Sequence, residues 1–136
     1  MSNNGATLKA VLIVEDAETC ASTLEIIFSS IQDLKILTAA SAEEAWELLE
    51  SHTEDIRAIV TDLHMPGMDG FELIERVRAN QNHGALPIVV ITGSTDPDVP
   101  ERLQRRGVNA VFAKPYSPAL VREKLEQLLS DEMRVN

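Results

Sequence analysis

Val11-Leu12-Ile13-Val14-Glu15-Asp16 is the stretch on which the fold turns. Its apolar run is too short for a core helix and rich in β-branched residues, which suits a strand covered on both faces. The run stops at two acids, so the strand leaves the core at that point. The same design recurs along the chain. Ala58-Ile59-Val60-Thr61 ends at Asp62, Pro87-Ile88-Val89-Val90-Ile91 ends at Thr92, and Ala110-Val111-Phe112-Ala113 ends at Lys114-Pro115. A proline at the first position of a strand is tolerated. Leu34, Ile36 and Leu37 mark a further, weaker strand.

Between these runs the apolar period changes to that of a helix. Cys20, Leu24, Ile27 and Ile31 recur at helical spacing, with Phe28 on the same stripe. Ser41-Ala42-Glu43-Glu44 is a capping-box pattern, and Ala45, Trp46, Leu48 and Leu49 supply the buried side behind it. The turn cluster Met65-Pro66-Gly67-Met68-Asp69-Gly70 precedes a helix with Phe71, Ile74 and Val77 inward. Asp96 to Arg106 reads as a short helix, apolar only at Val99 and Leu103. Ser117-Pro118 is an N-cap and first-turn pair, followed by the stripe Val121, Leu125 and Leu128.

Five strands alternating with five amphipathic helices predict an α/β protein, (βα)₅, with a parallel sheet covered on both faces. Right-handed crossovers leave a doubly wound sheet or a closed barrel, and five strands are too few for a (βα)₈ barrel. The domain is expected over residues 9–130. Residues 1–8 are expected to form a disordered or frayed N-terminus and 131–136 a C-terminal tail.

Composition narrows the function. The chain has 136 residues, with 12 Lys and Arg against 22 Asp and Glu, for a net charge of −10. Such a balance repels polyphosphate backbones, and aromatics at 4% offer little for base stacking, so direct nucleic-acid binding is not expected. Hydrophobic residues at 44% and charged residues at 25% match an ordinary globular mix and exclude low complexity. Cys20, the single cysteine, cannot form an internal disulfide and suits a reducing compartment. No apolar run approaches the ~20 residues of a bilayer span, and Met1-Ser2-Asn3-Asn4-Gly5 is too polar for a signal peptide. The expected location is therefore cytoplasmic, with no membrane contact.

In an open parallel sheet, ligands bind beyond the carboxyl ends of the strands. Glu15, Asp16, Asp62, Thr92 and Lys114 all occupy such ends. Neighbouring carboxylates repel, and apolar strands surround them, so something must compensate or at least one acid takes up a proton, and a hard divalent cation is the natural partner. Mg²⁺, or Mn²⁺ in its place, suits oxygen ligands that must leave room for a phosphate. Lys114 can hold an anion as a point charge, and Thr92 can donate to a phosphoryl oxygen. Together these groups describe a phosphoryl-transfer site. Asp62 is the expected nucleophile and would form an aspartyl phosphate. Asp16 is the expected main metal ligand. Glu15 is expected to bind metal through water or to hydrogen-bond Lys114.

At these residues the sequence resembles bacterial two-component response-regulator receiver domains. The resemblance rests on Val11 to Asp16, Val60 to Gly70, Ile91-Thr92-Gly93 and Ala113-Lys114-Pro115, and extends over about residues 9–130. It implies a flavodoxin-like sheet of strand order 2-1-3-4-5 and a phosphoryl group taken from a phosphohistidine. By position, Asp62 corresponds to the phosphoacceptor, Glu15 and Asp16 to the acidic pair, Lys114 to the lysine and Thr92 to the switch hydroxyl. It also implies metal coordination by the His64 backbone carbonyl and a cis Lys114–Pro115 bond.

The implied partners are a histidine kinase or histidine phosphotransfer protein and a downstream effector or output domain. The face formed by the fourth helix, fifth strand and fifth helix is expected to switch, and a homodimer through that face is a further expectation. The family commonly has aspartate at position 15 and an aromatic residue at position 111; here these are Glu15 and Val111. By strand alternation Phe112 points to the opposite face from Val111.

The remaining residues read more blandly. The His64 ring is expected at the pocket mouth, His52 and His83 on the surface, Cys20 in inert core, and Trp46 at a helix edge. Gly67 and Gly70 read as turn glycines, and Glu43, Glu44 and Glu47 as a solvated face. The expected function is that of a signalling switch, not a turnover enzyme on small substrates. An aspartate-nucleophile phosphatase is disfavoured because Asp62-Leu63-His64 lacks a second acid. A dinucleotide or flavin binder is disfavoured because no glycine-rich turn follows the first strand. A phosphorylation-independent interaction module with the same fold remains the alternative, given Val111.

Overall fold

The computed structural model describes residues 8–64 and 67–134, with side-chain environments to residue 130. Of the N-terminus expected to fray over 1–8, residues 1–7 lie outside the described residues, as do Met65, Pro66 and residues 135–136; residues 131–134 of the expected 131–136 tail continue the last helix instead.

The elements alternate strictly: β1 (Lys9–Val14), α1 (Glu18–Phe28), β2 (Leu34–Ala39), α2 (Ala42–Ser51), β3 (Asp55–Thr61), α3 (Gly70–Ala79), β4 (Ile88–Thr92), α4 (Val99–Arg105), β5 (Ala110–Ala113) and α5 (Pro118–Arg134). The strands form one sheet in the order β2-β1-β3-β4-β5, and every pairing is parallel. This is the doubly wound arrangement that the alternation implied.

The period-2 geometry of a strand explains why β1 is apolar throughout. Val11 and Ile13 face one side, where they pack with Leu24 and Phe28 of α1 and Val121 and Leu125 of α5. Leu12 and Val14 face the other side, against Ala45 and Leu49 of α2, Leu73 and Ile74 of α3, and Leu103 of α4. All four strand residues are buried. Two cores therefore share one sheet. The strand order reverses between β1 and β3, which makes their carboxyl ends the switch point of the sheet.

Some boundaries differ from expectation. Ile31 lies beyond α1, which ends at Phe28, yet it still packs on the α1–α5 core. α4 begins at Val99 rather than Asp96. The Asp96 carboxylate accepts from Asp98 N–H at 2.9 Å, and the Asp96 carbonyl accepts from Val99 N–H at 3.2 Å, so a turn takes up these groups first. α2 opens as the capping-box pattern indicates. Ser41 Oγ accepts from Glu44 N–H at 3.0 Å, while the Glu44 carboxylate accepts from Ala40 N–H at 2.7 Å, one residue upstream of the cap.

Candidate functional site

The sheet register builds the site. Val14 pairs with Thr61, and Asp62 N–H continues the ladder by donating to the Val14 carbonyl at 3.0 Å. On the other side of β1, Glu15 N–H donates to the Ala39 carbonyl at 3.0 Å. Glu15 and Asp62 thus leave neighbouring strands side by side. Thr92 pairs with Ala113, and Lys114 N–H donates to the Thr92 carbonyl at 2.8 Å. The Lys114 side chain then runs past Gly93 toward the acids, and the Lys114–Pro115 peptide is cis.

The ligand oxygens of Glu15, Asp16 and Asp62 lie within 4.8 Å of one another. Glu15 and Asp62 are buried and Asp16 is exposed. Lys114 Nζ stands 3.4 Å from Asp62 Oδ2 and 3.6 Å from Glu15 Oε1. Asp62 Oδ1 accepts from Leu63 N–H at 2.6 Å and from His64 N–H at 3.4 Å. Glu15 Oε2 accepts from Ala17 N–H at 3.1 Å. The Thr92 hydroxyl is buried and accepts from Ser94 N–H at 3.0 Å. His64 is exposed, just past the end of β3.

Charge and burial compete here. Burial pushes the Glu15 carboxyl above its ordinary value; the Ala17 N–H opposes this and the Asp62 charge adds to it. Burial pulls the Lys114 ammonium down, but the attraction of Asp62 and Glu15 outweighs it and the net direction is up. Three carboxylates against one ammonium leave excess negative charge in a partly dry hollow. An all-oxygen donor set of this kind fits a hard divalent cation.

Gly70 plays a part that its reading as a turn glycine did not show. It is the first residue of α3, and its N–H donates to the Leu63 carbonyl at 2.9 Å. A Cβ there would collide with the Asp62 carbonyl oxygen and stand 2.7 Å from Leu63 Cα. Glycine therefore lets α3 sit directly against the backbone that carries Asp62. Gly67, at φ +78°, is a true turn glycine.

Other readings need correction. Glu43 is not merely solvated: its Oε2 accepts from Met68 N–H at 3.0 Å and tethers the loop that follows Asp62. Cys20 is half-buried rather than core, and it lines a hollow of about 210 Å³ with Glu15, Lys114 and Tyr116. His52 is exposed as expected, but the His83 side chain is only 11% exposed. Phe112 packs on the α1–α5 core, and Val111 faces outward at 37% exposure. Arg78 carries no mark in the sequence pattern. Its guanidinium donates to the carbonyls of Gly84, Leu86 and Gly107 and to Asn109 Oδ1, tying α3 to the loops before β4 and β5. Helical position alone gave no signal for it.

Fold and site together define a doubly wound α/β domain with an acidic hollow at the strand ends, and comparison with known proteins supplies the family. The response regulator receiver domain model matches residues 11–126, and the chain belongs to that family. It is 32% identical over 119 residues to a chemotaxis protein CheY homolog of Campylobacter jejuni, covering 88% of this chain and 91% of that protein. A response regulator receiver protein from Pseudomonas putida superposes with a TM-score of 0.77 at 29% identity, covering 93% of this chain and 98% of that one. The signal receiver domain of a signal transduction histidine kinase from Syntrophus aciditrophicus superposes with a TM-score of 0.83 at 25% identity, covering 93% and 94%. The protein is thus a CheY-like receiver domain of two-component signalling, a class of signalling proteins rather than metabolic enzymes. Among the described residues no helix is long and apolar enough to cross a membrane.

Proposed function

We propose that this domain accepts a phosphoryl group on Asp62 from a phosphohistidine of a partner histidine kinase or histidine phosphotransfer protein. The observation that carries the reading is the meeting of the Glu15, Asp16 and Asp62 oxygens with the Lys114 ammonium at the ends of three strands. Asp62 Oδ1 is held by two backbone N–H groups, which leaves Oδ2, on the Lys114 side, as the attacking oxygen. Oδ2 bonds to phosphorus as the phosphorus–nitrogen bond breaks, and the departing imidazole nitrogen keeps the electron pair and takes up a proton. Asp16, Asp62, Glu15 and the His64 carbonyl would hold Mg²⁺ or Mn²⁺, which when bound neutralises charge on the transferring phosphoryl oxygens. Lys114 supplies a second positive charge, and the Thr92 hydroxyl has its proton free to donate to a phosphoryl oxygen.

The added charge draws Thr92 and Lys114 inward and biases a two-state equilibrium of the α4–β5–α5 face. A downstream effector, an output domain or a second copy of the chain reads that face. Water later hydrolyses the acyl phosphate, so the state decays by itself. The domain works in the cytoplasm, over residues 9–130, without contacting nucleic acid directly.

Intact mass after incubation with Mg²⁺ and acetyl phosphate tests this reading. One phosphate adduct is expected on the wild type and none on Asp62→Asn. An equal adduct on both would refute it. Outward-facing Val111 favours a second reading, an interaction module that ignores phosphorylation. Partner binding unchanged by Asp62→Asn would select it.

A further inference from the structure

The opposite edge of the sheet holds a second group of metal-ligating side chains that the phosphoacceptor chemistry does not use. Glu50 lies in the last turn of α2, His52 caps that helix, and His83 lies in the loop between α3 and β4. One ligand atom from each falls within 4.8 Å of the others. These residues sit where chains enter β3 and β4, whereas Asp62 lies where β3 ends. The two sites are therefore separated by the length of the strand.

Three features make this more than a chance gathering. His83 Nε2 is buried and makes no hydrogen bond to any described residue, and a buried polar atom left unpaired is costly. The polar group facing it is the Glu50 carboxylate, 3.5 Å away and outside hydrogen-bond alignment. The His83 ring is also fixed in place. Its backbone N–H donates to Asn80 Oδ1 at 3.1 Å, and its ring meets Trp46 edge-on with centroids 6.1 Å apart. Finally, His52 adopts φ +56°, a left-handed conformation usually left to glycine at a helix end, and this brings its ring over His83 with centroids 5.7 Å apart.

We propose that Glu50, His52 and His83 form a zinc-binding site that clips the end of α2 to the loop entering β4. Two imidazoles and one carboxylate are the donor set of three-ligand zinc sites, with water in the fourth position. Zn²⁺ at ~2.0–2.1 Å from each nitrogen needs donors about 3.3 Å apart, so the exposed His52 and Glu50 close onto the fixed His83. Borderline imidazole ligands favour zinc and the later first-row metals over Mg²⁺. The acidic hollow at the other edge has the reverse preference. One small domain thus separates two cations by ligand chemistry.

The test uses the full chain without an affinity tag, stripped of metal and held in excess Mg²⁺ to occupy the acidic hollow. Calorimetric titration with Zn²⁺ is expected to show one ion per chain and a rise in Tm. Co²⁺ is expected to give a visible absorption band with nitrogen–oxygen ligation, displaced by Zn²⁺. His83→Gln and His52→Gln should each weaken binding roughly 100-fold or more, since even outer-shell losses cost 10–100-fold. His52 is exposed, so His52→Gln keeps its fold and carries the test if His83→Gln does not. Asp16→Asn should leave zinc binding unchanged. Absence of binding, binding retained in His52→Gln, or binding lost in Asp16→Asn would each overturn the assignment.

Discussion

Replacing Gly70 by alanine adds one methyl group at the place where α3 meets the backbone that follows β3. The new Cβ would stand 2.7 Å from Leu63 Cα and 3.2 Å from the Asp62 carbonyl carbon, and would collide with the Asp62 carbonyl oxygen. All three neighbours are backbone, so no side chain can swing away. Ordinary contact starts near 3.4 Å, and the helix end must retreat by at least about 0.7 Å. Overpacking of this kind costs roughly 1–3 kcal/mol. The helix preference of alanine over glycine, at most ~1 kcal/mol and less at a first turn, offsets part of it. A net loss of about 1–2 kcal/mol lowers Tm by roughly 3–8 °C in a domain of this size.

The same displacement moves the backbone that aims Asp62, and a ~1 Å misplacement can cost ~10²-fold in rate. The acetyl phosphate reaction of the folded variant should therefore slow roughly 10- to 100-fold. Gly93→Ala is the control. It also flanks the site, but its Cβ would meet nothing nearer than Lys114 Cδ at 3.9 Å. It should change stability by no more than ~0.5 kcal/mol. Thermal unfolding and intact-mass kinetics read both variants. Equal Tm and equal rate for Gly70→Ala and Gly93→Ala would refute the packing argument.

Three further outcomes are expected. Arg78→Ala removes four hydrogen bonds from one half-buried guanidinium and should cost about 2–3 kcal/mol in urea unfolding, the worth of one or two charge-assisted bonds. Arg78→Lys should recover less than half of that, because an ammonium cannot fork between the loops. The Met68 N–H bond holds the Glu43 carboxyl below its ordinary value, so the tether's contribution is present above that value and is lost as pH falls through the lowered one. Hydrogen-exchange protection at Met68 should drop across that acidic window, and Glu43→Gln should remove the pH dependence. Phe28→Ala empties a fully buried position between α1 and the sheet and should cost ~3–5 kcal/mol, read by denaturant midpoint.

Some of this molecule could be read along the chain. Each strand and helix was visible because its period reports which side of it is buried, and burial of β1 on both faces is what an unbroken apolar run means. The gathering of Glu15, Asp16 and Asp62 was legible for the same reason, since each acid stands where an apolar run ends. The α4 boundary was not legible, because Asp96 diverts the backbone into a turn that helical spacing does not encode.

Local pattern, then, was enough to determine the layers, the strand ends and the acids placed on them. Only the folded chain decided that Glu43 reaches Met68, that Arg78 binds two loops together, that Gly70 must lack a side chain, and that His83 is turned inward beside His52. The physical reason is range. Periodicity is set by neighbours within a turn or two, whereas Glu43 and Met68, Arg78 and Gly107, and His52 and His83 are 25, 29 and 31 residues apart and meet through sheet register; Gly70 and Leu63 are near in sequence, but only the packing of α3 on the end of β3 brings them into contact.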